Sequence, residues 1–360
     1  MMPRRGRRGY GAVVATERSH AGIAGLSVIG VLIVVVAGAW LLATPSDKYV
    51  LLPDSPHPAD AVVSVGGREP KPSRDGSGIY YLDVLVHRAS LPESWIARFE
   101  DSGTVLPAVA VVPPGGNGAD LDRIDHLTFA DSRTVAGVVA LRALGRTVRV
   151  ERTGVTFDGV VRSSPAYRAG LRPGMVITAV DGVRVPRLAA LETQMKGRTA
   201  GSPIHLSVLD GTKRLELHTT LTSDPAVEGR ALIGVLGVHD APPHAKLPVN
   251  VSITPRGLGR GPSAGLAFTL EVYDSLTGRR LAKGRKIAVT GTINLDGAVG
   301  PVGGVRQKVI GAARQHADVV LVPVLNASEA RKAAAGRIRV ISVATFRDAL
   351  GALGEKPPAR

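Results

Sequence analysis

An uncharged stretch of 24 residues, from Ala21 to Thr44, limits most strongly what this chain can fold into. At 1.5 Å per residue, a helix of this length crosses the hydrocarbon core of a bilayer, which is about 30 Å thick. Five arginines precede the stretch and Asp47 follows it. Because positive charge favours the cytoplasmic side, the pattern predicts an N-terminal transmembrane helix at residues 21–44, with a cytoplasmic tail at residues 1–20. Everything after residue 47 is then expected outside the bacterial cell membrane, on a single-pass protein.

A cleaved signal peptide is the alternative interpretation of the same stretch. The small residues Ala37 to Ala39 could form a cleavage site. The apolar region of a signal peptide has about 7 to 15 residues, which is shorter than the stretch in this chain. The length therefore favours a membrane anchor.

Composition narrows the classes of fold and chemistry that the rest of the chain can have. Its 360 residues are enough for two or three domains of about 100 residues each. The chain has no cysteine, which excludes disulfides, thiolate metal sites and cysteine nucleophiles. A nucleophile must therefore be an oxygen or an amine.

The net charge of +15 does not by itself indicate a nucleic-acid partner. Five arginines and Glu17 give the first twenty residues +4, and the remaining charge is scattered along the chain. No aromatic and glycine pattern typical of RNA binding accompanies it. We therefore expect no nucleic-acid partner, although a basic surface could bind anionic polymers of the cell envelope.

Residues 47–145 are predicted to form a small α+β region next to the membrane. Ile79 to Val86 alternates in a way that is typical of a strand. Ala130 to Gly145 predicts a helix that is capped near Asp131 and stopped by Gly145. The sequence shows no catalytic constellation in this region.

The next segment has the turn and strand signals of a compact β-rich module with helices. Turns are predicted at Pro173-Gly174 and Asp181-Gly182, on either side of a strand at Met175 to Val180. A helix at Arg187 to Lys196 and a hairpin about Asp210-Gly211 follow. The order and spacing of these elements resemble a bacterial PDZ domain, which we assign to residues 146–224.

The PDZ resemblance implies a groove that binds an extended peptide by strand addition. We expect this groove between the Arg187 helix and a strand at Gly154 to Val161. The loop before that strand, near Arg152 to Val155, lacks a clear carboxylate-binding signature. The sequence therefore predicts peptide binding and leaves its specificity open.

Residues 225–355 alternate apolar and helical segments in the manner of an α/β domain. Within the stretch GRGPSAGLAFTL, Ser263 stands where a glycine-rich loop meets a predicted helix. A serine at this position can be a helix cap or a nucleophile near the positive end of the helix dipole. No histidine has the context of a triad base, so a lysine is the remaining common partner.

Lys308 is the candidate base, on a predicted helix that follows a glycine pair. At 100° per residue it borders the buried face defined by Val305 and Ala312, whereas Gln307 points almost directly away from Val305. The position is compatible with a lysine whose amine extends into water. Geometry alone leaves that structural interpretation open beside the catalytic one.

Three motifs resemble the proteolytic domain of Lon proteases: GPSAG at residues 261–265, VTGTI at 289–293 and VGPVGGVRQK at 299–308. With the predicted span and PDZ domain, the whole chain resembles the membrane-anchored Lon-like proteases of bacteria. The resemblance implies a Ser263 nucleophile, a Lys308 general base and a Thr290 hydroxyl that helps to hold the lysine. The backbone N–H groups of Gly261 and Ser263 are the candidate oxyanion hole, and no metal or cofactor is needed.

Two departures from ATP-dependent Lon enzymes shape the predicted function. The chain lacks a phosphate-binding loop of the form Gly-x-x-x-x-Gly-Lys-Ser/Thr, which predicts ATP-independent cleavage. Arg260 stands where many Lon enzymes have an acid, and it could help to lower the pKa of Lys308. We therefore predict an anchored serine endopeptidase whose PDZ domain captures exported or membrane proteins.

Two other functions stay open, an inactive PDZ scaffold and an envelope-polymer binder. The sequence also leaves a homo-oligomer open.

Overall fold

The computed structural model describes residues 38, 40, 44–70, 72–96, 103–107, 132–224, 227–254, 262–278 and 281–355. The predicted tail at residues 1–20 lies outside these ranges, as does the predicted span apart from Gly38, Trp40 and Thr44. Within the ranges, no helix is both long and apolar enough to cross a membrane.

The chain forms 22 strands and eight helices within the described ranges. The first part contains β1 (Pro45–Pro53), β2 (His57–Pro58), β3 (Val63–Val65), β4 (Gly78–Tyr81), β5 (Val84–Ser90), α1 (Leu91–Ile96), β6 (Thr104–Pro107) and α2 (132–143). The middle part contains β7 (Val150–Glu151), β8 (Val155–Val160), α3 (Pro165–Arg168), β9 (Val176–Val180), β10 (Val183–Arg184), α4 (Leu188–Met195), β11 (Pro203–Asp210), β12 (Lys213–Thr220), β13 (Thr222–Ser223), β14 (Ala231–Leu232), β15 (Val235–Asp240) and β16 (His244–Ala245). The last part contains β17 (Val251–Ile253), α5 (Gly265–Thr277), β18 (Lys286–Val289), β19 (Thr292–Ile293), β20 (Val299–Gly300), α6 (Val305–Arg314), β21 (Val319–Pro323), α7 (Ala327–Ala334), β22 (Arg339–Val343) and α8 (Phe346–Ala352).

A five-stranded sheet in the order β2-β4-β18-β21-β22 lies at the centre of the α/β domain. Strands β4, β18, β21 and β22 are parallel to their neighbours, and β2 is antiparallel to β4. Alternate residues face opposite layers: Ile287 and Val289 pack with α2, α5 and α8, whereas Ala288 packs with α6 and α7. The sheet is therefore covered by helices on both faces, as expected for parallel strands.

The first part of the chain belongs to this α/β domain, which differs from the predicted separate region at residues 47–145. Strand β4 pairs in parallel with β18, from Gly78↔Lys286 to Tyr81↔Val289. Helix α2 contributes Val135 and Val139 to the same core as α5. The sequence indicates a strand and a helix here, but their partners lie more than 100 residues away, and such pairing leaves no local signal.

A three-stranded sheet in the order β5-β1-β6 packs against α6. Leu51 of β1 contacts the start of α6 at Gly304, and the Asp54 carbonyl lies 2.1 Å from the position that a Cβ would take at Gly311. A side chain at Gly311 would therefore collide with the chain after β1. This close approach explains the glycine in the middle of the helix.

The PDZ domain is inserted between α2 and β17. Its sheet has the order β12-β11-β9-β8-β15, with β10 on β9, and it encloses its own apolar core. Strand β15 belongs to this sheet, so the predicted boundary at residue 224 falls short of the last PDZ strand. The entry and exit strands of the insertion pair with each other, Val150↔Ala245 and Glu151↔His244.

Candidate active site and peptide groove

Ser263 lies in a 3-10 turn, Pro262–Ala264, that leads directly into α5. The N-cap position of α5 is occupied by Ala264, and no side chain caps the helix. Ser263 is half-buried. Its hydroxyl is therefore not used as the cap of α5, which favours the catalytic interpretation over the structural one.

The main chain of Ser263 is held by the turn that follows β18. The Gly291 N–H donates to the Ser263 carbonyl oxygen at 2.8 Å, and the Leu266 N–H donates to the Gly291 carbonyl oxygen at 3.0 Å. Gly291 has a φ of +152°, and a Cβ there would lie 2.9 Å from Val299 Cγ1. The turn thus requires glycine and fixes the serine segment against the end of the sheet.

Thr290 is buried and contacts the same serine segment. Its N–H donates to the Leu321 carbonyl oxygen at 3.0 Å, which ties it to the neighbouring strand. Its hydroxyl donates to the Ser263 carbonyl oxygen at 3.2 Å. The observed contact of the Thr290 hydroxyl is therefore with the serine segment, whereas the resemblance implied a contact with the lysine.

Lys308 lies in the second turn of α6 and is only 3% exposed. Burial lowers the pKa of its amine from 10.5 to about 8, and the charge of Asp83 acts in the opposite direction. Burial disfavours the charged form of an amine, so a sizeable neutral fraction exists near neutral pH. The lysine is thus inside the domain, rather than a chain extended into water.

Both sides of α6 are buried, which the helical periodicity did not indicate. Gln307, predicted to point away from the buried face, is 2% exposed, and its Nε2 donates to Thr104 Oγ1 at 2.6 Å. The β5-β1-β6 sheet covers this second side of the helix. The hydrophobic periodicity of one helix predicts a single buried side. It cannot predict that a sheet from a distant part of the chain covers the other side.

The beginning of α6 and the ends of β4 and β18 meet at one place. The Leu82 N–H donates to the Val289 carbonyl oxygen at 3.2 Å, directly before Thr290. At Gly304, the N-cap of α6, a Cβ would lie 2.9 Å from Val84 Cγ1. In the described part of the chain, no hydrogen bond links Lys308 Nζ to Ser263 Oγ. Such contacts are often long in an enzyme without substrate.

Two predicted contributors lie outside the described residues. These are Gly261, with its candidate oxyanion-hole N–H, and Arg260. In the ranges that the structure covers, no cluster of three or more His, Asp or Glu side chains is arranged to hold a metal ion.

The groove beside α4 is formed by β15, not by the predicted strand at Gly154 to Val161. That segment forms β8, and its two edges pair with β9 and β15. Strand β15 ends the sheet on this side, facing α4. A groove of about 830 Å³ separates β15 from α4. The prediction was wrong because β15 follows the other PDZ strands in sequence and covers β8 in space.

The groove has an apolar wall and one basic end. Leu188, Leu191 and Met195 line it from α4, and Val235 and Val238 line it from β15. The charged lining residues are Glu192, Lys196, Arg198 and Arg230, and two of the cations are ion-paired, Arg198 with Asp181 and Arg230 with Asp224. Gly234 has a φ of +92°, and a Cβ there would lie 2.6 Å from Ser164 Cβ, so the loop of residues 229–234 depends on a glycine. The arrangement suits an extended apolar peptide with a negatively charged end.

The family description "Lon protease (S16) C-terminal proteolytic domain" matches residues 244–350, which include Ser263, Thr290 and Lys308. The chain carries a Lon-type proteolytic domain. The Lon match begins after the PDZ insertion, although β4 and α2 complete the same sheet and core. The PDZ family description matches residues 142–221, so the chain also carries a PDZ domain.

Individual relatives match only part of this chain. A Lon protease of Clostridium beijerinckii is 37% identical over 25% of this chain and 11% of its own length. Lon protease 2 of Bacillus subtilis is 34% identical over 27% of this chain and 17% of its own length. The PDZ domain of an SdrC-like protein from Listeria monocytogenes matches 24% of this chain and 90% of its own, at 25% identity and a TM-score of 0.23. The chain thus spans less than a fifth of the length of these two curated relatives.

Proposed function

We propose that this chain is an ATP-independent serine endopeptidase in which Ser263 is the nucleophile and Lys308 is the general base. The burial of Lys308 carries this proposal. An ordinary lysine is almost entirely protonated at neutral pH, whereas this amine has a pKa of about 8. Lysines are rarely buried without a partner or a function.

In the first step, the neutral amine of Lys308 removes the proton from Ser263 Oγ as this oxygen attacks a peptide carbonyl carbon. The carbonyl π electrons move onto its oxygen. Backbone N–H groups at Gly261 and Ser263, near the beginning of α5, would stabilise that oxyanion. Thr290 keeps the serine segment in place through the Ser263 carbonyl oxygen.

In the second step, the Lys308 ammonium gives its proton to the leaving amine, and the carbon–nitrogen bond breaks. The acyl group stays on Ser263 as an ester. A water molecule then attacks the ester carbon while Lys308 accepts its proton. The bond between that carbon and Ser263 Oγ breaks, and Lys308 returns the proton to Oγ, which regenerates the serine and releases the carboxylic acid. One lysine thus serves as base and acid in turn, and its pKa near 8 suits both roles.

The β15 groove would supply substrate capture. An extended peptide can add to β15 as a further strand, with apolar side chains against α4 and a C-terminal carboxylate near Arg230. The groove supports free C-terminal recognition more strongly than the sequence did. The basic end lies at residues 229–234, rather than at the loop from Arg152 to Val155.

The predicted span makes exported or membrane proteins the proposed substrates. In this arrangement the N-terminus is cytoplasmic and the catalytic domain is outside the cell membrane. A reporter enzyme that is active only outside the cytoplasm, fused after Arg360, should be active. Activity from a cytoplasmic reporter alone would contradict this orientation.

The dyad is tested with the full chain in detergent micelles, using an unstructured peptide as substrate. Ser263→Ala and Lys308→Ala should each abolish cleavage, and the double variant should be scarcely slower than either single one. Ser263→Asp, which keeps a good capping residue, should also be inactive. Circular dichroism checks the fold of each variant.

A serine-reactive phosphonate separates the protease from the two other candidate functions. It should label the wild-type chain and not Ser263→Ala. An inactive scaffold or a polymer binder would show neither labelling nor cleavage. A folded Ser263→Ala variant that cleaves at the wild-type rate would exclude Ser263 as the nucleophile.

A further inference from the structure

Asp83 lies where the sheet ends next to the helix of Lys308. It follows β4, two residues after Tyr81, whose strand pairs with the strand that ends before Thr290. The next residue, Val84, contacts the start of α6 at Gly304. The Asp83 carboxylate is half-buried, and its Oδ1 accepts the Val84 N–H at 2.8 Å. The carboxylate is therefore held near the beginning of the helix that carries the lysine.

The charge of Asp83 favours the charged form of the Lys308 amine and so opposes the effect of burial. Most groups that pack on α6 from other elements are neutral, including Leu51 of β1, Thr104 of β6 and the alanines of α7. Asp54 lies near Gly311, but its carboxylate is paired with His57 Nε2 at 2.9 Å. The charge of Asp83 also reaches Tyr81, where burial and then this charge raise the pKa to about 12.

We propose that Asp83 is a positioning residue for Lys308, whose carboxylate stabilises the ammonium that forms when the lysine takes the Ser263 proton. The inference rests on the proposed function. In that step the proton moves from Ser263 Oγ to Lys308 Nζ, and the oxygen lone pair forms the bond to the substrate carbon. A positive charge thus appears at a buried site, where it is costly unless an opposite charge is near.

Burial and the charge of Asp83 have complementary effects on the role of Lys308 in catalysis. Burial makes the neutral amine available at the start of the reaction, and Asp83 lowers the cost of the charged amine once the reaction proceeds. Preorganised charge aimed at the site where charge develops is a principal source of rate acceleration. Removing Asp83 should therefore increase the fraction of neutral lysine while making it a weaker base.

The test is the pH profile of kcat/KM for Asp83→Asn in the full chain, with the same unstructured peptide. The asparagine Oδ1 can still accept the Val84 N–H, so the local turn should be kept. The acidic limb, which reports deprotonation of Lys308, should move to lower pH. The plateau rate should fall roughly tenfold, which is about 1.4 kcal/mol.

Asp83→Glu and Asp296→Asn are the matched controls. The glutamate keeps a carboxylate and should leave the limb near its wild-type position. Asp296 is exposed in the turn between β19 and β20, and its variant should match the wild type. A lower plateau with an unmoved limb would indicate a purely structural role and overturn the inference.

If Asp83→Asn does not fold, Asp83→Ser decides the question. The serine hydroxyl oxygen can still accept the Val84 N–H and carries no charge, so the acidic limb should move to lower pH, and an unmoved limb would contradict the proposal. A wild-type chain that cleaves no peptide would instead refute the proposed protease function, so the two failures are distinguishable.

Discussion

At the scale of single residues, the burial of Lys308 favours its proposed role as a base and lowers the stability of the folded chain. The folded chain depresses the pKa of its amine from 10.5 to about 8, mainly through burial. In the unfolded chain the amine binds its proton up to a higher pH. Folding stability therefore rises with pH between about 8 and 10.5, and it is reduced at every pH below about 8.

Lys308→Met should make the protein inactive and more stable at pH 7. The lowering of the pKa corresponds to a cost of about 3 kcal/mol, which an apolar side chain of similar length does not incur. Denaturant unfolding of the two proteins measures this difference. Lys332→Met, at an exposed position on α7, should leave the stability nearly unchanged. Equal or lower stability of Lys308→Met would show that the lysine is not strained by its surroundings.

The residues of the proposed dyad come from sequence motifs, whereas the residues that surround them in the structure could not be predicted. GPSAG, VTGTI and VGPVGGVRQK mark Ser263, Thr290 and Lys308 because each motif is a short, continuous stretch. Asp83 lies in an ordinary alternating strand pattern and gains its position only when β4 pairs with β18. Its relation to Lys308 spans more than 200 residues, so local pattern analysis does not detect it.

At the scale of secondary-structure elements, β15 forms one side of the proposed peptide groove. The strand order of the PDZ domain is not readable from the sequence, and the apolar segment Gly154 to Val161 has the pattern of a groove strand. In the structure, that segment is an inner strand with partners on both edges. The stretch ALIGVLGVHD, with Gly234 in a left-handed conformation, was the available signal.

Arg230→Glu should weaken the binding of a peptide with a free C-terminal carboxylate by roughly tenfold, because it reverses a charge at the basic end of the groove. The Arg230 side chain is 61% exposed and its Nε lies 3.5 Å from Asp224 Oδ2, so the fold of the variant is checked by circular dichroism beside its affinity. The same peptide with a C-terminal amide should bind both proteins about equally. Fluorescence anisotropy of labelled peptides measures the affinities.

Arg214→Glu on β12 is the matched control, because it makes the same change of charge at an exposed site outside the groove lining. Its affinity should stay close to the wild-type value. An Arg230 variant that loses affinity for both peptides alike would argue against carboxylate recognition.

At the scale of the whole molecule, the α/β domain is built from two separate stretches of chain. Sequence patterns predicted some of its elements, including α2 and the helix that carries Lys308, but they suggested consecutive domains. Strand pairs such as Gly78↔Lys286 and Val63↔Ile253 join the two stretches and show that the PDZ domain is inserted between them. Apolar residues of the β7–β16 junction also pack against α2 and α5.

Replacing residues 152–243 with Asn-Gly should give a folded protease domain without its PDZ domain. Glu151 and His244 are directly opposed in an antiparallel pair, which a two-residue turn can connect. This variant should cleave a short peptide at close to the wild-type rate and a folded substrate much more slowly, because capture is lost. Cleavage assays on both substrates check the prediction.

A fragment that begins at residue 225 is the informative contrast. It lacks β4 and α2, so it should fail to fold and should cleave neither substrate. Activity of that fragment would show that the first stretch is dispensable. Equal losses on both substrates in the Asn-Gly variant would show that the PDZ domain is needed for the protease fold itself.

The paired strands at the base of the PDZ domain also govern the order in which the molecule can assemble. As the chain emerges, β4 has no parallel neighbour until β18 has been made, and the apolar face of α2 has no α5 to cover it. Joining α2 to β17 would require closing a loop of roughly 100 residues, at an entropic cost that grows with the logarithm of loop length. A PDZ domain that is already folded brings Glu151 beside His244 and shortens that loop to a single hairpin. By holding Glu151 next to His244, the inserted domain therefore lowers the entropic cost of bringing together the two stretches of the domain around it.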